Sequence, residues 1–266
     1  AAEDSGGLVG RTSFDRSAAM LQWLHKATSS GVLRWLPLSL LVAAMVTIAV
    51  CLHQASTYVD VADWPTQPPI SALAESTAGF ALFAGGFTAL CGLLGAALLC
   101  RAAWISVELT TSTQRWANFG WLATATVACP FVLLMAWNRD DGPNSDLHFT
   151  GAGIGMGLIC VSGIVHAMLC ACLFKVDRAI PPTVRGAVYG AQGFGLVVAL
   201  GAFGSWFVSD KTDDTMEWAG FIAALAAYLS CCVLFLRPPC ANERHGLADH
   251  PSERSPLVQP AASTDV

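Results

Sequence analysis

Apolar residues in this chain run in long blocks. They show neither the alternation of a half-buried strand nor the single stripe of a surface helix. Six blocks, near residues 33–52, 77–100, 119–137, 151–174, 185–208 and 217–236, are long enough to cross a hydrocarbon layer, which takes about 20 apolar residues. Backbone in lipid must satisfy its own N–H and C=O groups, so each block predicts a helix. The fold class that follows is all-α, an integral membrane bundle of six transmembrane helices. The chain divides into an N-terminal segment 1–32, a six-span domain 33–236 and a polar, proline-punctuated tail 237–266 that reads as disordered. The first span is too long and lies too deep in the chain for a cleaved signal peptide, and is expected to be a retained anchor.

Composition agrees with the blocks. Only 12% of residues are charged while 54% are apolar, and a water-facing surface needs about twice that share of charge. Charge placement then orients the spans. Arg11, Arg16, Lys26, Arg34, Arg101, Arg115, Lys175, Arg178, Arg185, Arg237, Arg244 and Arg254 fall on one side, and only Arg139 and Lys211 on the other. Positive residues mark the cytosolic side, so both termini are expected in the cytosol. Trp35, Trp121, Trp137, Trp206 and Trp218 lie near span ends, where interfacial aromatics are expected.

Nine of the ten cysteines lie in or at the ends of the spans and Cys240 in the tail, which favours free apolar thiols over disulfides. Cys100 and Cys240, near the cytosolic face, are candidate palmitoylation positions. Before the first span, Phe14, Ala18, Leu21 and Leu24 recur at helical spacing among Arg11, Arg16 and Lys26. That pattern fits an amphipathic helix on the inner leaflet, and equally a disordered tail with a transient turn. Thr110, Thr111, Ser112 and Thr113 form a candidate phosphorylation cluster in an inner loop expected at 101–118.

Candidate chemistry is sparse. His166 is the deepest ionisable group and Cys170 shares its helical face, but no second His/Cys pair completes a metal site, so His166 is expected to bond a neighbouring helix. Gln192 and Tyr189 read as the same kind of glue. The exofacial carboxylates, among them Asp60, Asp63, Glu75, Asp140, Asp141, Asp146 and Glu217, are expected to form a solvated acidic face. Their alternative is a lipid-remodelling site with His53 and His148. No Ser-centred elbow and no His-Glu-x-x-His run occurs. The run from Gly151 to Gly157 lacks the strand and downstream acid of a dinucleotide loop. It supplies instead two GxxxG pairs, Gly151/Gly155 and Gly153/Gly157, for close helix approach. With Gly186/Gly190 in span five and the glycines of span two, these make spans two, four and five the expected centre of the bundle. The expectation is a protein that is not an enzyme and needs no cofactor or metal. It would contact membrane lipids and, through its termini, cytosolic proteins, and not nucleic acid. Transport is harder to exclude, although only Pro130 and Gln192 hint at the broken or polar midplane of a carrier.

Several motifs share an order with a known family. A proline-rich first exofacial loop closes on Pro69-Ile70-Ser71, followed by the acidic Glu75 and a Gly/Phe-rich second span. Span three opens Phe119-Gly120-Trp121-Leu122, span four opens with His148 ahead of Gly151 and Gly153, and span six opens Glu217-Trp218. The tail carries Glu253, Leu257 and Val258 in a sorting-like run. In this order the chain resembles the damage-regulated autophagy modulator (DRAM) family and its six-span Frag/DRAM/Sfk-type relatives, over roughly residues 33–258. The resemblance implies a non-enzymatic modulator of autophagy or lysosomes, acting through protein or lipid contacts in lysosomal or other endomembranes or at the plasma membrane. Other branches imply a plasma-membrane scaffold for a phosphatidylinositol 4-kinase complex or, more distantly, GPI-anchor remodelling.

Overall fold

The computed structural model describes residues 19–28, 31–59, 69–139, 141–174, 176–177, 180–208 and 214–236. Among these it is predominantly helical, without a strand. A first helix, α1, covers residues 19–28. After a 3-10 turn, Gly31–Trp35, come α2 (Leu36–Ser56), α3 (Thr77–Glu108), α4 (Ser112–Ala136), α5 (Ser145–Met168), α6 (Pro182–Val208), α7 (Asp214–Ser230) and the short α8 (Cys232–Phe235). A π-helical turn, Leu169–Phe174, extends α5. Six helices are long and apolar enough to cross a membrane. Each packs against its neighbours in sequence, and α7 with α8 returns to α2.

The spans run longer than their apolar blocks suggest. At 32 residues α3 is about 48 Å long, well beyond a hydrocarbon core of about 30 Å. It continues past Arg101 to Glu108, and α4 starts at Ser112, so the inner loop expected at 101–118 shrinks to residues 109–111. Thr111 caps α4. Its Oγ1 accepts from the Gln114 N–H at 3.2 Å, and the Gln114 side chain returns to the Thr111 N–H at 3.3 Å, a reciprocal capping box. The threonine cluster is therefore a helix start, and Phe119-Gly120-Trp121-Leu122 lies inside α4 instead of opening it.

Helices gain little by burying apolar surface against each other when the solvent is lipid, so close packing and interhelical hydrogen bonds hold the bundle. The tight approach lies between α4 and α5. A Cβ on Gly151 would sit 2.5 Å from the Met135 N and 2.6 Å from the Phe131 O, and one on Gly155 would sit 2.8 Å from the Val132 N. Only glycine fits against backbone at those distances. Gly153 faces the Phe207 ring at 3.0 Å, whereas Gly157, Gly186 and Gly190 face open space. This corrects part of the expected centre: Gly157 of the second GxxxG pair and both glycines of the pair on α6 seat no neighbour, because those positions face out of the bundle. Gly79 against the Leu73 carbonyl, Gly86 against Cys51, Gly163 against Leu196, Gly195 against Ala227 and Gly220 against Phe203 make further close contacts.

Two aromatic assignments also change. Trp121 and Trp206 are buried inside the bundle, while Trp35 and Trp137 are exposed as interfacial residues would be. Cys100 is buried on α3, where an acyl-transfer enzyme has no access, and Cys240 lies outside the described residues.

Of the N-terminal pattern, residues 19–28 are helical, and Phe14 and Ala18 lie outside the described residues. Leu21 and Thr28 of α1 are buried, and the Trp104 indole Nε1 of α3 donates to Thr28 Oγ1 at 2.8 Å. Met20 and Trp23 stay exposed on the other side. Trp104→Phe keeps an aromatic ring but deletes the N–H donor with the five-membered ring, leaving Thr28 buried without it. One such hydrogen bond contributes about 0.5–1.5 kcal/mol. Limited proteolysis of the α1–α2 junction is therefore expected to quicken by roughly two- to tenfold, with the spans left intact.

Candidate functional site

Two polar centres lie at opposite ends of the bundle. The first, at the α7 N-terminus, collects motif residues from the connection before α3 and from the starts of α5 and α7. Pro69 and Ile70 lead into a buried 3-10 turn, Ser71–Ala74, whose compactness follows from the proline restricting the chain just before it. The Ile70 N–H donates to Glu217 Oε2 at 2.9 Å, across 147 residues of sequence. Ser71 is buried in the same turn, Trp218 is half-buried against the apolar core, and Glu75 is exposed. Ser76 then caps α3 by accepting from the Gly79 N–H at 2.9 Å.

His148, in the first turn of α5, is held by the frayed end of α4. Its Nδ1 lies 2.9 Å from the Met135 carbonyl and 2.8 Å from the Asn138 carbonyl. Both are acceptors, so Nδ1 carries the proton, and in the neutral ring Nε2 is left as an acceptor. The ring stacks on Phe83 of α3 with centroids 6.4 Å apart. Ile70, His148 and Glu217 together border a cavity of about 30 Å³. Its remaining wall is apolar: Phe83 and Phe87 of α3, Met135 of α4, Ala152 and Met156 of α5, three aromatic residues of α6 (Phe203, Trp206 and Phe207) and Phe221 of α7.

The second centre, near the α3 C-terminus, escaped the sequence reading. Arg101 is 2% exposed and therefore is not a loop residue. Its Nη1 donates to Asp177 Oδ1 at 2.8 Å, its Nη2 pairs with Asp177 Oδ2, and Nη2 also donates to the Tyr189 hydroxyl at 3.0 Å. The Tyr189 hydroxyl in turn donates to Asp177. Asp177 adopts φ 59°, a left-handed conformation that aspartate tolerates better than most residues, and its N–H donates to Glu108 Oε2 at 3.1 Å. Further clamps come from Arg185 to the Val176 carbonyl at 3.1 Å and from Gln114 to the Leu173 carbonyl at 3.0 Å. Burial opposes ionisation of Asp177, but the charge and hydrogen bonds of Arg101 outweigh it and hold the carboxyl below its ordinary value. The network ties α3, α4 and α6 to the connection between α5 and α6.

His166 sits deeper on α5. Its Nδ1 faces Gln192 Oε1 at 3.2 Å, its Nε2 lies 3.4 Å from Cys170 Sγ, and its ring meets the edge of Trp121 at 4.7 Å. Both ring nitrogens are thus engaged, the helix-to-helix bond expected for this residue. Among the described residues no group of three His, Cys, Asp or Glu side chains could hold a metal ion. The Gly151, Gly153 and Gly155 contacts act in helix packing and line neither polar centre, and Gly157 contacts nothing. Glu253, Leu257 and Val258 lie outside the described residues.

No family model, curated protein or solved structure matches this chain. Six apolar helices make it a multi-pass integral membrane protein.

Proposed function

We propose that this protein is a non-enzymatic membrane protein similar to the DRAM family, with both termini cytosolic, that modulates autophagy or lysosomal membranes through protein or lipid contacts. The supporting observation is the meeting of motif residues distant in sequence. Ile70 bonds Glu217, and His148 borders the same cavity, so the Pro-Ile-Ser junction and the openings of spans four and six act as one capping unit. A shared motif order is expected where residues far apart in sequence depend on one another in space. The centre made by Arg101, Asp177 and Tyr189 bonds its members to one another and serves as a clamp.

The test is autophagic flux in cells lacking or overexpressing the full chain, with the tagged protein localised in parallel. Flux is expected to change in opposite directions, with the protein at lysosomal or other endomembranes and moved off them by Leu257→Ala. Unchanged flux in both conditions overturns the reading. Steady plasma-membrane residence, with recruitment of a phosphatidylinositol 4-kinase lost on removing residues 241–266, would favour the scaffold alternative.

A further inference from the structure

We propose that the outer flank of α1, Met20 with Trp23, lies in the headgroup–acyl boundary of the bilayer, which makes α1 a membrane-surface helix. The inference rests on the six spans and stands independently of the autophagy reading. The apolar spacing of this segment assigned Leu21 and Leu24 to the leaflet, but the bundle takes that face. Leu21 and Thr28 are buried, Leu24 packs against the core, and Trp104 bonds Thr28. A second apolar flank remains, which that spacing did not show: Met20 is 50% exposed and Trp23 68%.

Helix geometry divides α1 into three faces. At 3.6 residues per turn, the pairs Leu21/Thr28, Met20/Trp23 and Gln22/Lys26 point about 120° apart. The first meets the bundle, the second is apolar and the third is polar, with Gln22 and Lys26 both exposed. That division suits a helix lying where bundle, bilayer and water meet. A single exposed apolar residue is ordinary on a water-facing helix. A methionine and a tryptophan on a flank separate from the polar one are instead the pattern of an in-plane helix. Tryptophan fits that depth because its ring is apolar while its N–H still seeks an acceptor.

Continuity with the lipid-facing surface names the occupant. Thr28 is three residues from Gly31, a reach of at most about 10 Å. The end of α1 therefore lies beside the 3-10 turn that leads into the first span, Leu33–Ser56. Leu33, Trp35 and Leu36 are exposed there, and the Arg34 guanidinium stands over the Trp35 ring at 5.0 Å. A ring at the interface with a cation beside it is how a span start meets headgroups. The Met20–Trp23 flank begins within a few residues of this surface and continues it.

The experiment is fluorine NMR of the full chain carrying fluorotryptophan in phosphatidylcholine nanodiscs. Of nine tryptophan lines, that of Trp23 is the one lost in Trp23→Phe. A lipid spin-labelled just below its headgroup is expected to broaden this line several-fold more than a water-soluble gadolinium chelate does. Gln22→Trp adds a line from the polar flank, which should show the reverse order. A Trp23 line broadened as much or more by the chelate places the flank in water and overturns the proposal. A line reached by neither probe means that a second copy or another segment covers the flank, and overturns it too. As a second measurement, Met20→Ser with Trp23→Gln removes the flank and leaves Leu21 and Thr28 in place. Proteolysis of the α1–α2 junction in nanodiscs should then quicken several-fold, and an unchanged rate also overturns the proposal.

Discussion

Replacing Arg101 by alanine is expected to destabilise the bundle by about 3–5 kcal/mol, the usual result of leaving one charge of a buried pair without its partner. Both side chains are almost fully enclosed, at 3% exposure for Arg101 and 8% for Asp177, so water does not make good the loss. Asp177→Asn isolates the charge, since asparagine keeps the shape and tolerates φ 59°. It should cost nearly as much. The double variant Arg101→Met with Asp177→Asn removes both charges and should recover part of the loss, because the desolvation cost disappears along with the attraction. Unfolding in micelles by SDS or heat checks all three.

The same pair sets a pH dependence. The Asp177 carboxyl is held below its ordinary value of 3.8 in the folded protein, so its contribution is complete above that value. It is lost as pH falls through the lowered folded-state value. Wild type should therefore lose stability in strong acid more steeply than Asp177→Asn, and the two curves should converge there.

Gly151→Ala and Gly155→Ala form the second large effect, each expected to cost about 1–3 kcal/mol through overpacking. The new methyl groups would meet α4 backbone at 2.5 Å and 2.8 Å, and a helix backbone cannot step aside as a flexible side chain can. Gly157→Ala, two residues along the same helix, meets nothing within 4 Å. Its expected effect is neutral or stabilising by up to about 1 kcal/mol, because alanine is the better helix former. Opposite signs at neighbouring glycines would show that α4 packs on one face of α5. Equal costs at all three would place the contact elsewhere.

The contrast among these glycines marks where the sequence stops being readable. GxxxG spacing shows that two glycines share a helix face, but it does not say which neighbour that face meets. Gly153 and Gly157 have the spacing, yet only Gly153 is covered, by the Phe207 ring, while Gly151 and Gly155 sit about 160 degrees of helix rotation away, on nearly the opposite face, against α4. Rotation about each helix axis is set by all the packed faces together. Arg101 failed for a related reason. A basic residue after a long apolar run reads as the membrane boundary, and nothing local signals that α3 continues for another two turns or that Asp177 will answer it from 76 residues away. Asp177 itself, in a short connection, carries no motif. His166 was easier, because an ionisable group deep in a span must find a partner, and Gln192 is one of the few polar side chains within reach.

Sequence alone therefore determined the solvent, the number of crossings and the helical class. Those depend on run lengths of apolar residues and on the cost of unbonded backbone in lipid, both properties of a single segment. Only the tertiary structure decided what the polar residues do. It joined Ile70 to Glu217, set His148 on the same cavity, and buried Arg101 against Asp177 and Tyr189. A polar group's role depends on which partner reaches it, and in this bundle those partners come from other helices and connections.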